Sequence, residues 1–231
     1  DMANRKHDCD LLLDQNFYRD KDQRYEGLVP DHCQKLLGPE FALLRSEFYE
    51  ARQKLRKRDG SVKRILVFFG GSDLTNETTK AIVALKRLQQ YKFEVDVVVG
   101  SANPHKQEIQ ELCTDNFHYH CQIDNMAELM AKADVAIGAG GTAILERCCM
   151  GLPSLVISIA SQEHSLCANL MPTGIFKYFG AMKKSIELNL YQEVKAWLGL
   201  RSDLIHMSKK ARKFVDGLGV YRVRDYICGE E

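Results

Sequence analysis

The stretch IGAGGTAILERCCMGLPSLVIS, residues 137–158, carries the pattern from which the fold can be inferred. It begins inside an apolar run of strand length, turns on the glycines of GAGG, continues as a helix and returns to a second apolar run. Both apolar runs are continuous rather than alternating with polar residues, which is typical of strands covered on both faces. A helix between two such strands predicts a parallel βαβ unit.

The same alternation extends on both sides of this stretch. Apolar segments of strand length lie at residues 64–69, 93–100, 117–123, 134–140 and 153–159, with helical patterns between them. We therefore expect an α/β fold with a doubly wound parallel sheet of five strands. After residue 161 the sequence predicts a helix, a short apolar segment at 175–181, and helices near 187–198, 202–215 and 221–228.

Residues 1–58 differ in character from the rest of the chain. They contain one predicted strand, CDLLLD at residues 9–14, then a loop rich in tyrosine and arginine, and the charged segment ARQKLRKRDGS at residues 51–61. We expect a boundary near residue 58, with 1–58 as the C-terminal part of an incomplete N-terminal domain plus linker and 59–231 as a Rossmann-like domain. Leu11–Leu13 are expected to present an unpaired strand edge.

Composition excludes several classes of function. The chain has 231 residues and a formal net charge of +1, so no strong field favours nucleic acid or a membrane surface as partner. No apolar run reaches the length of a membrane span, and no signal peptide is visible. Eight cysteines without a CxxC pattern predict reduced thiols and a cytoplasmic location. Cys33 beside His32 is the nearest approach to a zinc-site pattern, and we expect no metal.

Two glycine loops follow predicted strands. Gly70–Ser72 end the first strand of the sheet, and residues 138–142, which include Gly140, Gly141 and Thr142, end the fourth. In an open parallel sheet such loops gather at one crevice, where free N–H groups at helix starts can hold phosphate. The pattern predicts a diphosphate site, although a plain strand–helix corner also explains a single glycine pair. Neither loop is a P-loop or a full GxGxxG fingerprint.

The helix after the second loop carries an acid and a base. Glu146 is placed to accept hydrogen bonds from a ribose diol, and the alternative is an exposed acid that favours the helix dipole. We interpret Arg147 as a solvated or ion-paired residue. His164 lies beyond the fifth strand, again on the crevice side, while His118 and His120 share one face of a strand. No Ser-His-Asp or Cys-His arrangement can be argued.

Several motifs together resemble a known family. They are YEGLVP at residues 25–30, LLGPEFALLRSEF at 36–48, FFGGSD at 68–73, the stretch at 137–155, and SQEHS at 161–165. In this order and spacing they resemble the UDP-sugar hydrolases of bacterial pseudaminic acid biosynthesis, which remove UDP from a 2,4-diacetamido-2,4,6-trideoxyhexose. The resemblance implies a GT-B-like fold, as in two-domain glycosyltransferases, with UDP held by residues 59–231.

The resemblance also implies roles for particular residues. Both glycine loops would hold the diphosphate, Glu146 the ribose and the backbone at 122–126 the uracil, while Arg45 would reach the substrate from the interdomain side. Ser161 and Gln162 stand where the family has Asn-Gln and would contact the sugar. Ser161 departs from that pattern because its shorter side chain donates only one hydrogen. Phe41 departs from a usual tyrosine.

The family's catalytic histidine lies in a Gly-x-Gly-His loop that has no counterpart in this sequence. We therefore assign no catalytic residue and expect the 231 residues alone not to match the hydrolysis rate of the complete enzyme. No cofactor is implied, and the complete protein is expected to be a monomer that binds a UDP-sugar. The alternatives are a GT-B glycosyltransferase that uses UDP-sugars and a non-catalytic UDP-binding fragment.

Overall fold

The computed structural model describes residues 5–88, 90–181 and 186–229. In chain order the strands are β1 Leu11–Asp14, β2 Gln34–Leu37, β3 Arg64–Phe68, β4 Glu94–Val99, β5 Phe117–Cys121, β6 Val135–Ala139, β7 Ser154–Ser158 and β8 Lys177–Ala181. The helices are α1 Ser46–Gln53, α2 Glu77–Lys86, α3 Lys106–Leu112, α4 Met126–Lys132, α5 Ala143–Cys149, α6 Ser161–Leu170, α7 Ile186–Leu198, α8 Arg201–Phe214 and α9 Gly219–Cys228.

Strands β3 to β8 form one parallel sheet in the order β5-β4-β3-β6-β7-β8. The chain starts in the middle at β3, builds outward to β5, and returns to β6 beside β3 before building the other way. The order therefore reverses between β3 and β6, where Phe68 pairs with Gly138. This reversal is the position at which open α/β sheets bind ligands. It places the two predicted glycine loops side by side, which confirms the predicted doubly wound parallel sheet.

The prediction of five strands was wrong by one. Residues 177–181, within the short apolar segment, form β8, which pairs in parallel with β7 at the sheet edge. The segment KYFGA mixes polar and apolar residues and contains Gly180, and the register between the two strands shifts after Val156. An edge strand needs burial on fewer sides than a central one, so its sequence lacks the continuous apolar run that marked the others.

The sheet is covered on both faces. Ile65 and Val67 of β3 pack into one core with α2 and α7, which includes Trp197. Leu66, between them, packs into a second core with α4, α5 and α8. Since successive side chains of a strand point to opposite faces, burial on both sides explains why β3 reads as an uninterrupted apolar run.

The N-terminal region contains two strands, so the prediction of one strand was incomplete. Strand β1 pairs in parallel with β2, with Leu12 opposite Lys35 and Leu13 opposite Leu36. One edge of Leu11–Leu13 is therefore paired. The sequence QKLL of β2 has only four residues, and two of them are polar. Such a short segment does not show the alternating pattern of a strand by itself.

This region also contacts the larger sheet's helices. Helix α1 packs against α4 and α5, and a Cβ atom at Gly219 would lie 2.3 Å from the main-chain oxygen of Ala42. Glycine at the start of α9 thus lets the last helix approach the N-terminal region closely. No helix of the described ranges combines the length and apolar character needed to cross a bilayer.

Arg58, at the predicted boundary, is buried beneath two helix ends. Its guanidinium donates hydrogen bonds to the carbonyl oxygens of Met130 and Ala133 at the end of α4, and of Met150 and Gly151 after α5. A cation there satisfies the carbonyls that a helix leaves unpaired. Burial lowers the pKa of Arg58 to about 10. The division at residue 58 remains a prediction, and Arg58 itself is held by the C-terminal unit.

Candidate functional site

A cavity of about 490 Å³ opens at the carboxyl ends of the central strands. Its walls come from both glycine loops, from the ends of β4 and β7, from the start of α4 and from the N-terminal end of α1. Of the predicted site residues, the cavity is lined by Arg45, Gly70, Gly71, Ser72, Gly141, Thr142 and Glu146. The structure thus brings together residues that are up to about 100 positions apart in the sequence, Arg45 and Glu146 among them.

The first glycine loop presents open backbone to the cavity. Gly70 has φ +87°, a conformation that side chains rarely adopt, and a Cβ atom at either Gly70 or Gly71 would meet no atom within 4 Å. The loop lies against Gly100, where a Cβ atom would be only 2.3 Å from the main-chain oxygen of Gly71. Gly100 was not predicted from the sequence. Because it has no side chain, the loop can pack directly against the end of β4.

The helix after this loop does not have a free N-terminus. Asp73, 1% exposed, accepts hydrogen bonds from the main-chain N–H groups of Glu77 and Thr78, both at 2.9 Å. The Thr78 hydroxyl donates to the same carboxylate at 2.6 Å. The expectation that the N–H groups of α2 are free for an anion was therefore wrong, because a side chain of the chain itself caps them. Ser72 is exposed and remains available to a ligand.

The second loop combines close packing with an open side. A Cβ atom at Gly138 would lie 2.3 Å from the main-chain oxygen of Phe68 on the neighbouring strand, and one at Gly140 would lie 2.5 Å from Sγ of Cys167. Gly140 therefore faces the core and is not part of the cavity lining. Gly141 and Thr142 line the cavity, and the Thr142 hydroxyl makes no capping hydrogen bond to α5.

Arg147 supports the second loop from beneath. It is 2% exposed, and its Nη2 donates to the main-chain oxygen of Ala139 at 2.7 Å. Burial lowers the pKa of this guanidinium, and the neighbouring acids, Glu146 among them, oppose that effect. The interpretation of Arg147 as a solvated residue was wrong. Its place is structural, since it fixes the strand end from which the loop begins.

Glu146 lies partly buried at the cavity wall, one turn into α5. Burial raises the pKa of its carboxyl, and the positive charge of Arg45 opposes the shift. Arg45 also pairs with Glu47 at 2.8 Å, and Oε2 of Glu47 accepts a hydrogen bond from the main-chain N–H of Ala127 at 3.2 Å. The guanidinium of Arg45 is thus held by the start of α1 within the field of two carboxylates.

Glu163 lines the cavity and was missed by the sequence analysis. Its Oε2 accepts a hydrogen bond from the main-chain N–H of Ile159 at 2.9 Å. A Cβ atom at Gly141 would lie 3.2 Å from its other oxygen, so the carboxylate borders the second loop. An acid in the first turn of a helix that reaches back to the preceding backbone is a known start signal, and that pattern could have identified it.

The remaining predicted contacts lie at the start of α6. Gln162 is exposed, and the side chain of Ser161 is outside the part of the chain that the structure describes. Nδ1 of His164 is hydrogen-bonded to the hydroxyl of Tyr178 at 2.6 Å. The same hydroxyl lies 2.8 Å from Oγ of Ser158. His164 is therefore engaged with β8 rather than with the cavity.

The far wall of the cavity is formed after β5. Gln122 has φ +52°, and its side-chain oxygen lies 3.3 Å from the main-chain nitrogen of Ser101. Gln122, Ile123 and Met126 line the cavity here. A wall that combines apolar side chains with a few polar groups suits a flat heterocycle. No three His, Cys, Asp or Glu side chains of the described ranges lie close enough to share a metal ion.

Comparison with known proteins bears out the resemblance. Residues 65–169 match the family described as the glycosyltransferase family 28 C-terminal domain. The chain is 29% identical over 190 residues to the spore coat polysaccharide biosynthesis protein SpsG of Bacillus subtilis, covering 80% of this chain and 56% of SpsG. It is 27% identical over 144 residues to the UDP-2,4-diacetamido-2,4,6-trideoxy-beta-L-altropyranose hydrolase of Campylobacter jejuni, covering 62% and 50% respectively. The chain thus spans about half the length of these relatives.

Solved structures establish the fold. MurG of Acinetobacter baumannii superposes with a TM-score of 0.61 at 19% identity, over 95% of this chain and 66% of MurG. S. aureus MnaA, solved with UDP, superposes with a TM-score of 0.55 at 16% identity, over 80% of this chain and 48% of MnaA. The chain therefore has the fold of GT-B glycosyltransferases, with its six-stranded parallel sheet as the Rossmann-like unit.

Proposed function

We propose that the cavity binds the UDP part of a UDP-sugar. We further propose that the chain is the UDP-binding part of a nucleotide-sugar hydrolase of pseudaminic acid biosynthesis. The observation that carries the proposal is the meeting of two glycine loops and Glu146 at the point where the sheet order reverses. Amides on two neighbouring loops suit a diphosphate, whose two charged groups are joined by one oxygen. The relation to the Campylobacter jejuni hydrolase supports the choice of substrate.

Each part of the nucleotide has a wall of the cavity that fits it. The loops at Gly70–Ser72 and Gly140–Thr142 hold the diphosphate, with Gly140 keeping the second loop close to the core while its neighbours face the ligand. Glu146 accepts hydrogen bonds from the ribose hydroxyls. The wall at 122–126 receives the uracil. The lining of the cavity supports these assignments at every position named except Gly140.

The sugar lies towards the N-terminal side of the cavity. Arg45 reaches the cavity from the start of α1, and its guanidinium is a donor for a phosphate or sugar oxygen. Ser161 and Gln162 at the start of α6 complete the sugar contacts in this proposal. Because Gln162 is exposed and outside the lining, it contacts the ligand only if the sugar extends past the rim of the cavity.

Hydrolysis requires water to attack the anomeric carbon as UDP leaves. Loop amides that face the diphosphate stabilise the charge that grows on it, which is the larger electrostatic contribution. A general base adds about 10²–10⁴-fold. The ring of His164 is hydrogen-bonded to the hydroxyl of Tyr178 on β8, so we assign the base to a part of the complete enzyme outside these residues.

The alternative is a glycosyltransferase, which the family 28 match and the fold favour. Both enzymes would release UDP, but a transferase needs an acceptor hydroxyl in place of water. The complete protein should therefore be incubated with the UDP-sugar alone and with candidate acceptors. Free sugar at the same rate in both mixtures supports the hydrolase, whereas UDP release that depends on an acceptor overturns it.

Binding by this chain is tested separately by calorimetry. UDP should bind more tightly than ADP or NAD, because in this proposal the wall at 122–126 receives the single-ring uracil beside the diphosphate loops. Equal affinity for UDP and ADP would contradict the assignment of that wall to uracil. If the complete protein releases no UDP with or without an acceptor while UDP binding is intact, the non-catalytic UDP-binding module is left as the function of this chain. The cytoplasmic location and monomeric state remain predictions.

A further inference from the structure

Two cysteine thiols lie side by side in the N-terminal region, and neither of them lines the cavity. The Sγ atoms of Cys9 and Cys33 lie 3.7 Å apart. Cys33 directly precedes β2 and Cys9 lies two residues before β1, while the main-chain N–H of Gln34 donates to the oxygen of Asp10 at 2.8 Å. Backbone pairing therefore begins at the position of the two thiols and holds them side by side.

The two thiols differ in access to solvent. Cys33 is 7% exposed and belongs to a small core with Leu12, Tyr25 and Leu37, whereas Cys9 is partly exposed and packs on the outside of that core. Burial, and then the neighbouring Cys9, raise the pKa of the Cys33 thiol. An oxidant from solvent therefore reacts with Cys9 first, and the buried Cys33 lies next to it.

We propose that Cys9 and Cys33 form a reversible disulfide when the protein meets a low-molecular-weight disulfide. The Cys9 thiolate attacks one sulfur of glutathione disulfide, and one glutathione thiolate leaves. The Cys33 thiolate then attacks the Cys9 sulfur of the mixed disulfide, and the second glutathione thiolate leaves. Two electrons pass to the glutathione disulfide, and the two thiol protons end on the two released glutathione molecules.

The bond would fasten a weak part of the fold. A two-stranded sheet is marginal by itself, and β1 and β2 have four residues each. The new link closes the loop between positions 9 and 33, which contains the buried hydrogen bond of 2.6 Å from the Tyr25 hydroxyl to Asp14. Closing that loop restricts the unfolded chain, so the oxidised protein should melt at a higher temperature than the reduced one.

The test is oxidation with glutathione disulfide followed by alkylation, trypsin and mass spectrometry. Trypsin cuts after Lys6, Arg19, Arg24 and Lys35, so Cys9 and Cys33 fall on separate peptides, 7–19 and 25–35. We expect these two peptides to appear joined, with the loss of two hydrogens, and to separate on treatment with dithiothreitol. Cys121 and Cys228, both exposed, are changed to Ser in the background so that links between molecules do not interfere.

Variants make the order of the two steps testable. In Cys33→Ser, Cys9 should hold glutathione stably, because no second thiol displaces it, whereas in Cys9→Ser the buried Cys33 should react more slowly by tenfold or more. Circular dichroism checks that both variants remain folded. The proposal is overturned if peptides 7–19 and 25–35 stay unlinked in the folded protein while glutathione accumulates on Cys9. It is also overturned if oxidation leaves the melting temperature unchanged.

Discussion

The backbone at Gly100 lies so close to Gly71 that a Cβ atom added to Gly100 would sit 2.3 Å from the Gly71 main-chain oxygen. These residues follow adjacent strands, β4 and β3, at the carboxyl edge of the sheet. The contact seats the first glycine loop on the strand end and leaves its other side open to the cavity. Gly100 is therefore required for close packing, whereas Gly71 presents its open side to the cavity.

Substitutions at these two positions should separate stability from binding. Gly71→Val should keep the melting temperature but lower the UDP affinity at least tenfold, since its side chain would enter open space on the cavity wall. Gly100→Val should lower the free energy of unfolding by about 1–3 kcal/mol, because backbone must move to admit it. Calorimetry and urea unfolding measure the two effects. Normal UDP binding by folded Gly71→Val would move the diphosphate elsewhere.

Gly140→Val should act on the core rather than on the ligand. Its Cβ atom would lie 2.5 Å from Sγ of buried Cys167, so overpacking should cost about 1–3 kcal/mol of unfolding free energy. The double variant Gly140→Ala with Cys167→Ala should recover part of that loss, since it removes the sulfur in the way. If Gly140→Val unfolds in urea like the unchanged protein, the loop is not packed as described.

Glu146 should recognise the ribose diol. Glu146→Ala should weaken UDP binding by about 1–3 kcal/mol, the range for hydrogen bonds to a charged group. The matched control is Glu111→Ala, on the exposed surface of α3, which should bind UDP normally. The sharper measurement uses 2′,3′-dideoxy-UDP, because the unchanged protein should lose affinity for it and Glu146→Ala should not distinguish it from UDP. Full discrimination retained by Glu146→Ala would exclude this role.

The affinity for UDP should depend on the ionisation of Glu146. Burial raises the pKa of this carboxyl, so it takes up a proton at a higher pH than an ordinary glutamate. Since only the carboxylate accepts both hydrogen bonds, the affinity should fall as the pH is lowered from 7 towards 5. The phosphate groups titrate near pH 6 themselves (about the second phosphate pKa), so Glu146→Gln is the reference. Parallel pH profiles for the two proteins would contradict the prediction.

Asp73 should stabilise α2 rather than bind the ligand. Asp73→Ala removes the acceptor for two main-chain N–H groups and one hydroxyl, which should cost about 2 kcal/mol of unfolding free energy. Asp73→Asn should lose less, because asparagine tolerates the positive φ of 38° and keeps one acceptor. Ser72→Ala, next to it and exposed, should change stability by less than about 0.5 kcal/mol. Urea unfolding compares the three.

A cluster of charged groups on the sheet should make the free energy of unfolding depend on pH in the acid range. Asp96 is fully buried, and although burial opposes ionisation, hydrogen bonds from Arg64 at 2.5 Å and His120 at 2.9 Å hold its pKa below the usual range. Asp96→Asn should cost roughly 3 kcal/mol at pH 7. An acid whose pKa is lowered by folding stabilises the fold at a pH above its pKa in the unfolded chain, about 3.9. This stabilisation is lost as the pH falls through the pKa in the folded protein.

The cost of Asp96→Asn should therefore shrink when unfolding is measured at progressively lower pH below about 4. The control is Asp115→Asn, an exposed loop residue at φ +56°, where asparagine is tolerated and no such pH dependence is expected. A difference for Asp96→Asn that stays constant down to acid pH would mean that the carboxylate contributes by its shape and not by its charge.

The central sheet and the position of the cavity could be predicted from local sequence patterns. The five strands β3 to β7 were readable because each is covered on both faces, and double coverage leaves a continuous apolar run in the local sequence. The glycine loops could be located for a similar reason, since a turn that must admit positive φ or close approach demands glycine at that place. Glu146 followed from its spacing after the second loop, and Arg45 only from the family resemblance.

The edge strands and the partners of the buried polar side chains could be learned only from the tertiary structure, because they depend on residues distant in the chain. Strand β8 exists because β7 offers it an edge, and β2 because β1 does, although neither segment has a strand pattern of its own. Arg147 could not be recognised as buried, because an arginine in a helix reads as solvated until a strand end is placed above it. Asp73 likewise reads as part of a phosphate loop until the turn directs its carboxylate back onto α2. Local pattern fixes where a backbone runs, but the partner of a polar side chain is chosen only when the chain has folded around it.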